Sequence, residues 1–232
     1  TQAQPEEGET APVVEEGAGG LPPSKCFETG DGRSRCFRHL GQAETSGPLP
    51  LVLDLHGSGG SSAVQWEMPG GWSSYLSASG GFVLALPDGF SGGWNAGNTW
   101  CGDAADIGID DVEFLDGVVE QMAMMYQIDR RRIYLAGHSC GCSMAQTYAV
   151  RRSENVAAMA CHAGFLQPTP PFANYTPTSA WTVFGTDDED AGYAPGDAAH
   201  GYLGAVPSWH KWRDANGCEG GAAESNSAFC VL

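Results

Sequence analysis

The chain of 232 residues reads as an α/β fold, a mostly parallel sheet covered by helices. Three observations predict this. Short continuous apolar runs recur along the chain, as in strands buried on both faces of a parallel sheet. Amphipathic segments and Gly-rich turns alternate with those runs. The length, with 42% hydrophobic residues, suits one large domain or two small ones and suffices for a substantial core without disulfides.

The elements follow in order. Residues 1–24 are rich in Glu, Gly and Pro and nearly free of large apolar side chains. They are expected to be a disordered segment, with the folded domain over 25–232. Cys26 with Cys36 would close an N-terminal hairpin around Gly30-Asp31-Gly32, whose Asp-Gly pair signals a turn. Residues 51–55 (LVLDL) form a first core strand that runs into His56-Gly57-Ser58-Gly59-Gly60. Residues 82–86 (FVLAL) form a second, stopped by Pro87-Asp88-Gly89. Asp110 as N-cap and Glu113 three residues on form a capping-box pattern. Phe114, Leu115, Val118, Met122, Met125 and Tyr126 then recur at helical steps. Residues 133–136 read as a third strand, 141–152 as a helix, and 181–184 as a fourth strand.

Composition excludes several classes. There are 28 acidic residues against 11 basic ones, a net charge of −17. Such a field repels phosphate backbones, so nucleic acid is not an expected partner. No apolar run approaches the roughly 20 residues that a transmembrane helix needs. Eight cysteines without a C-x-x-C pairing point to disulfides, not a metal site, and to a secreted or extracytoplasmic protein. The chain starts at Thr1 without Met or a signal peptide, as expected of a fragment or a processed form.

The pattern G-x-S-x-G occurs twice, as Gly137-His138-Ser139-Cys140-Gly141 and as Gly89-Phe90-Ser91-Gly92-Gly93. Context separates them. A nucleophile elbow needs a strand before it and a helix directly after it, with glycines permitting close backbone packing. Only Ser139 has both; Ser91 precedes Gly92-Gly93-Trp94-Asn95-Ala96-Gly97, which cannot be a helix. Ser139 is therefore the candidate nucleophile, an ordinary strand–helix turn being the plainer reading. An oxyanion hole would take one backbone N–H from Cys140 and a second from the Gly-rich loop after the first core strand, for which Ser58 is the choice. His56 precedes the nucleophile and reads as a brace for that loop. The acid should follow a later strand, and Gly185-Thr186-Asp187-Asp188-Glu189-Asp190 follows the fourth. The same run of acids also suits a solvated loop.

These residues resemble a family. The segment Ile128-Asp129-Arg130-Arg131-Arg132-Ile133-Tyr134-Leu135-Ala136-Gly137 before Ser139 resembles the secreted α/β-hydrolase esterases related to poly(3-hydroxybutyrate) depolymerases and feruloyl esterases. So do His56-Gly57, Leu86-Pro87-Asp88-Gly89, Trp94-Asn95-Ala96-Gly97, Cys101-Gly102, residues 110–115 and the segment from Trp209 to Asn216-Gly217-Cys218. Gly185-Thr186-Asp187-Asp188 resembles the family's G-T-x-D turn, which selects Asp188 as the acid. The resemblance covers roughly residues 48–220. It implies an α/β-hydrolase-like sheet with helices on both faces, and hydrolysis of a small-molecule or polymer carboxylic ester by a Ser-Asp-His triad without cofactor.

One departure stands out. The family's catalytic histidine lies in a loop beyond the position of Cys218, whereas no histidine follows His210. The resemblance thus places the base past Leu232, in a missing C-terminal part, with His200 and His210 as the alternatives. His162 reads as structural and His138 as the variable residue of the elbow. Without a base Ser139 is a weak nucleophile, which keeps open a catalytically inactive binding module on the same fold. A peptidase would share Ser139 and differ only in pocket shape. Cys140 or Cys142 bonded to Cys101 would tie the elbow to the loop after Trp94, and Cys218 with Cys230 is a further pair. Trp66, Trp72, Trp94 and Trp100 suit either an aromatic cleft or core packing.

Overall fold

Burial alternates along β1 (Ser24–Glu28), where Lys25 and Phe27 are half-buried between exposed neighbours, and β1 forms an antiparallel hairpin with β2 (Ser34–Leu40). The hairpin turns at Gly32, whose φ of 76° favours glycine. Cys26 and Cys36 face each other in register and are disulfide-bonded, as the Asp-Gly turn suggested. Ahead of β1, the Pro22 carbonyl accepts from the Arg38 guanidinium at 2.7 Å. The computed structural model describes residues 20–41, 47–68, 72, 81–97, 100–193 and 204–218.

Among those residues the sheet has seven strands in the order β1-β2-β4-β3-β5-β6-β7. The remaining strands are β3 (Leu49–Leu55), β4 (Val83–Pro87), β5 (Ile128–His138), β6 (Ala158–His162) and β7 (Ser179–Val183). The hairpin joins antiparallel to β4 through β2. From β4 across β3, β5, β6 and β7 every pairing is parallel. Four of these strands coincide with the apolar runs read from the sequence. The fifth, β6, was not among the strands read, although residues 156–161 are apolar; in it Met159 and Cys161 are buried while Ala160 and His162 are exposed.

The helices are α1 (Ser62–Glu67), α2 (Ala104–Ile107), α3 (Asp111–Met125), α4 (Cys140–Arg151) and α5 (Ala205–Asn216). Asp110 caps α3 by accepting from the Glu113 N–H at 2.9 Å. Glu113 does not return the bond to Asp110; its carboxylate accepts from the Gly30 N–H of the hairpin turn instead. A single helix end thereby holds the hairpin. Phe114, Leu115, Val118 and Met122 bury one face of α3, and Phe27 of the hairpin stacks on Phe114 at 5.7 Å. Helix α4 is buried from Cys140 through Val150. Apolar and small residues all round it suit a helix enclosed by the fold. Its Gln146 is fully buried yet satisfied, donating to the Gly164 carbonyl and accepting from the Trp212 indole N–H of α5, both at 2.8 Å.

Candidate active site

Ser139 stands alone between the end of β5 and the start of α4. Its φ of 53° and ψ of −121° lie where a side chain is strained, at a cost of order 1–3 kcal/mol. The surroundings hold it there. Its N–H donates to the His162 carbonyl at 2.8 Å, and its own carbonyl accepts from the Ser143 N–H at 3.0 Å. The flanking glycines are required by close approach. A Cβ on Gly137 would lie 2.7 Å from the Gly141 carbonyl, and one on Gly141 would overlap the Leu55 and His56 carbonyl oxygens. Ser91 also has a positive φ, 49°, but lies in a turn closed by a Phe90–Gly93 bridge, with no helix after it.

Cys140 is the first residue of α4, so its N–H belongs to the first turn, where helical amides lack an intrahelical acceptor. Two disulfides grip this turn. Cys140 is bonded to Cys101, one of the two pairings that the sequence left open, and Cys142 to Cys161 of β6. The second pairing carried no sequence signal, because it depends on β6 lying beside β5. Cys218 is also disulfide-bonded; Cys230 lies outside the described residues.

The loop after β3 runs directly past the serine. A Cβ on Gly57 would sit 3.5 Å from the Ser139 Cβ and 3.1 Å from the His138 Nδ1. The next amides differ in their partners. Gly59 N–H donates to the Gly92 carbonyl at 2.8 Å and Gly60 N–H to the Gly57 carbonyl at 3.1 Å. Among the described residues the Ser58 N–H has no hydrogen-bond acceptor. His56 is buried, with both ring nitrogens engaged: Nε2 accepts from the Gly89 N–H at 2.9 Å, so Nδ1–H donates to the Gly57 carbonyl at 2.7 Å. Burial holds its pKa below the usual imidazole value, against the opposing Gly57 carbonyl and the charges of Asp88 and Asp111. It braces the loop.

Asp188 follows β7. Val183 at the end of β7 is in register with His162, and His162 with His138. The acid turn and the serine turn therefore leave the same edge of the sheet, at the C-terminal ends of parallel strands. Asp188 Oδ1 accepts from the N–H groups of Ala191 at 2.7 Å and Asp190 at 3.0 Å. The rings of His138 and His162 stack at 5.4 Å, 12° from parallel. Burial and the neighbouring His162 both lower the pKa of His138, and the Asp188 charge opposes them. This imidazole pair was not legible in the sequence, since a parallel register between 138 and 162 has no local mark. The His162 ring is exposed; its backbone carbonyl is what holds Ser139. His210 lies on α5 with its ring against Trp209 at 5.3 Å, and His200 lies outside the described residues.

The tryptophans divide. Trp94 is fully buried and donates to the His56 carbonyl at 2.8 Å. Trp72 donates to Asp54 at 2.6 Å, and Trp100 packs edge-on to Phe165 at 6.4 Å. Trp66 is half-buried on α1.

A parallel sheet, a strained serine between strand and helix at its C-terminal edge, and a Gly-rich loop against that serine define the α/β-hydrolase class. The chain belongs to the alpha/beta hydrolase fold family, whose model matches residues 50–195. It is 34% identical over 153 residues to NocK of Nocardia uniformis subsp. tsuyamanensis, an inferred esterase, covering 63% of this chain and 42% of that protein. It is 29% identical over 191 residues to feruloyl esterase B of Piromyces equi, covering 74% and 33% respectively. The crystal structure of a thermostable esterase shares the fold, with a TM-score of 0.59 at 17% identity over 84% of this chain and 52% of that one. The chain spans less than half the length of the curated relatives it matches. No helix among the described residues is long and apolar enough to cross a membrane.

Proposed function

We propose that this protein is a serine carboxylic ester hydrolase of the feruloyl esterase and polyhydroxybutyrate depolymerase type, acting outside the cytoplasm. Ser139 is the nucleophile, Asp188 the acid that orients the catalytic imidazole, and the N–H groups of Cys140 and Ser58 the oxyanion donors. The observation that carries this reading is the strained Ser139 turn with Gly57 packed against its Cβ. The amide after Gly57, that of Ser58, lacks an acceptor among the described residues.

The proposed chemistry completes this set with an imidazole. An imidazole within about 2.6–3.2 Å of the hydroxyl takes its proton as Ser139 attacks the ester carbonyl. The negative charge that develops on the carbonyl oxygen is to be met by the two amides. The acyl group passes to Ser139 and the alcohol leaves with the proton. Water then attacks the acyl-enzyme by the same route. Esterase relatives support an ester substrate, from a small molecule or a polymer, and the disulfides support an oxidising compartment.

Fluorophosphonate labelling tests the assignment. Labelling of the wild-type chain, abolished in Ser139→Ala, is expected, and it is slow unless an imidazole stands within reach of the Ser139 hydroxyl. Hydrolysis of p-nitrophenyl acetate should fall to background in Ser139→Ala and markedly in Asp188→Asn. An unlabelled wild-type chain, or equal hydrolysis by wild type and Ser139→Ala, overturns the reading.

A further inference from the structure

The second G-x-S-x-G copy and the aspartate before it hold the oxyanion loop from one end to the other. At the loop's start, Gly89 N–H donates to His56 Nε2 at 2.9 Å, and the Trp94 indole N–H donates to the His56 carbonyl at 2.8 Å. At its middle, the Gly92 carbonyl accepts from Gly59 N–H at 2.8 Å. There Gly92, with a φ of 77°, approaches so closely that a Cβ would stand 3.3 Å from the Gly59 Cα. At its end, both oxygens of the Asp88 carboxylate hold Ser62, accepting from its N–H at 2.6 Å and its hydroxyl at 3.0 Å. Ser62 opens α1, directly after the loop. Asp88 is itself fixed to the hairpin: its N–H donates to the Cys36 carbonyl at 3.0 Å, and its carbonyl accepts from the Arg35 guanidinium at 3.1 Å. Residues 88–94 thus clamp His56, Gly59 and Ser62, and the amide of Ser58 falls between the clamped points.

We infer that Asp88 is a positioning residue for ester hydrolysis, and that the 88–94 segment is a template that sets where the Ser58 N–H stands relative to Ser139. The inference rests on the assignment of Ser58 as an oxyanion donor. The physical argument is about tolerance. An oxyanion donor contributes only when it lies about 2.7–3.1 Å from the developing charge, and losing one costs about 10²–10³ in rate. A Gly-rich loop has little intrinsic stiffness, so its precision must come from contacts outside it. Asp88 supplies two of these through one side chain, at the junction of loop and helix. It touches neither substrate nor Ser139, and acts through Ser62.

The test is fluorophosphonate labelling of the full chain, with the maximal inactivation rate separated from the reversible binding constant, in wild type, Asp88→Ala, Asp88→Asn and Ser62→Ala. Asp88→Ala should lower the maximal rate at least 10-fold with the binding constant within about twofold. The phosphoryl oxygen draws on the same donors as a tetrahedral intermediate, whereas ground-state docking does not. Asp88→Asn keeps one oxygen for the Ser62 N–H and offers its amide to the Ser62 hydroxyl, so it should stay within about threefold of wild type. Ser62→Ala keeps the N–H contact and should fall between the two. It also serves if Asp88→Ala does not fold. Equal maximal rates in wild type, Asp88→Asn and Ser62→Ala, together with an unchanged or unfolded Asp88→Ala, overturn the inference while leaving Ser139 as nucleophile. A wild-type chain that does not label at all overturns the Ser139 assignment itself, and the inference with it.

Discussion

The serine turn and the acid turn leave the same sheet edge, yet the protein holds them in opposite ways. Around Ser139, β3 and β4 are nearly all buried, α4 is enclosed, and disulfides bond Cys140 to Cys101 and Cys142 to Cys161. Around Asp188, the preceding strand β7 lies at the sheet edge with Trp181 60% and Val183 44% exposed. The Asp188 carboxylate accepts from amides of its own turn, those of Asp190 and Ala191. The difference matches the roles proposed for the two parts. A nucleophile and its oxyanion donors must be in place before charge develops, so strain and close backbone contact are maintained there. A carboxylate that orients another side chain acts at one remove and tolerates a looser setting.

The contrast breaks most severely at Gly141. Gly141→Ala drives a Cβ into two carbonyl oxygens of the β3 end, backbone atoms that cannot step aside. A loss of about 4 kcal/mol or more, the range of the gravest single substitutions, should appear as failure to recover folded protein or as a large drop in Tm. Removal of the Cys101–Cys140 bond, by substituting both with Ala, should cost about 2–4 kcal/mol. The melting temperature under non-reducing conditions measures it. Because the bond ends on the residue after Ser139, Ser139 labelling should slow as well.

A pH effect sharpens the comparison on the rigid side. Asp54 on β3 is 6% exposed and accepts from Gln65 at 2.8 Å and Trp72 at 2.6 Å. Burial raises its pKa above the ordinary 3.8, outweighing those donors. A raised folded pKa gives stability that is full below the unfolded value and is lost as pH rises through the folded one. Asp54→Asn retains an acceptor oxygen and has no such loss. Its Tm relative to wild type should therefore climb between pH 4 and pH 8, and a flat difference would contradict the burial argument. The smallest effect belongs to the edge. Trp181→Ala should change stability by no more than about 0.5 kcal/mol, whereas the same change at buried Trp94 should cost about 3–5 kcal/mol. Denaturant midpoints of the two variants compare the regions directly.

What the sequence determined by itself was local. The apolar runs over 51–55 and 133–136 mark β3 and β5, because strands inside a parallel sheet are largely apolar, Asp54 being the exception. The sequence also told Ser139 from Ser91, since a helix follows one and Gly92-Gly93 the other. The N-cap of α3 was legible in Asp110, because a cap is a contact between residues three apart. The tertiary structure alone decided everything that required distant strands to meet. It brought Cys142 to Cys161 and His138 onto His162, contacts fixed by a parallel register that leaves no mark in either strand. It turned Glu113 away from its own cap to the Gly30 amide, since a carboxylate takes whichever donor the packing presents. It set the passed-over Gly89–Gly93 motif against the Gly-rich loop after β3. Neither segment encodes that meeting; the neighbouring positions of β3 and β4 in the sheet do, because the loops that leave adjacent parallel strands emerge side by side.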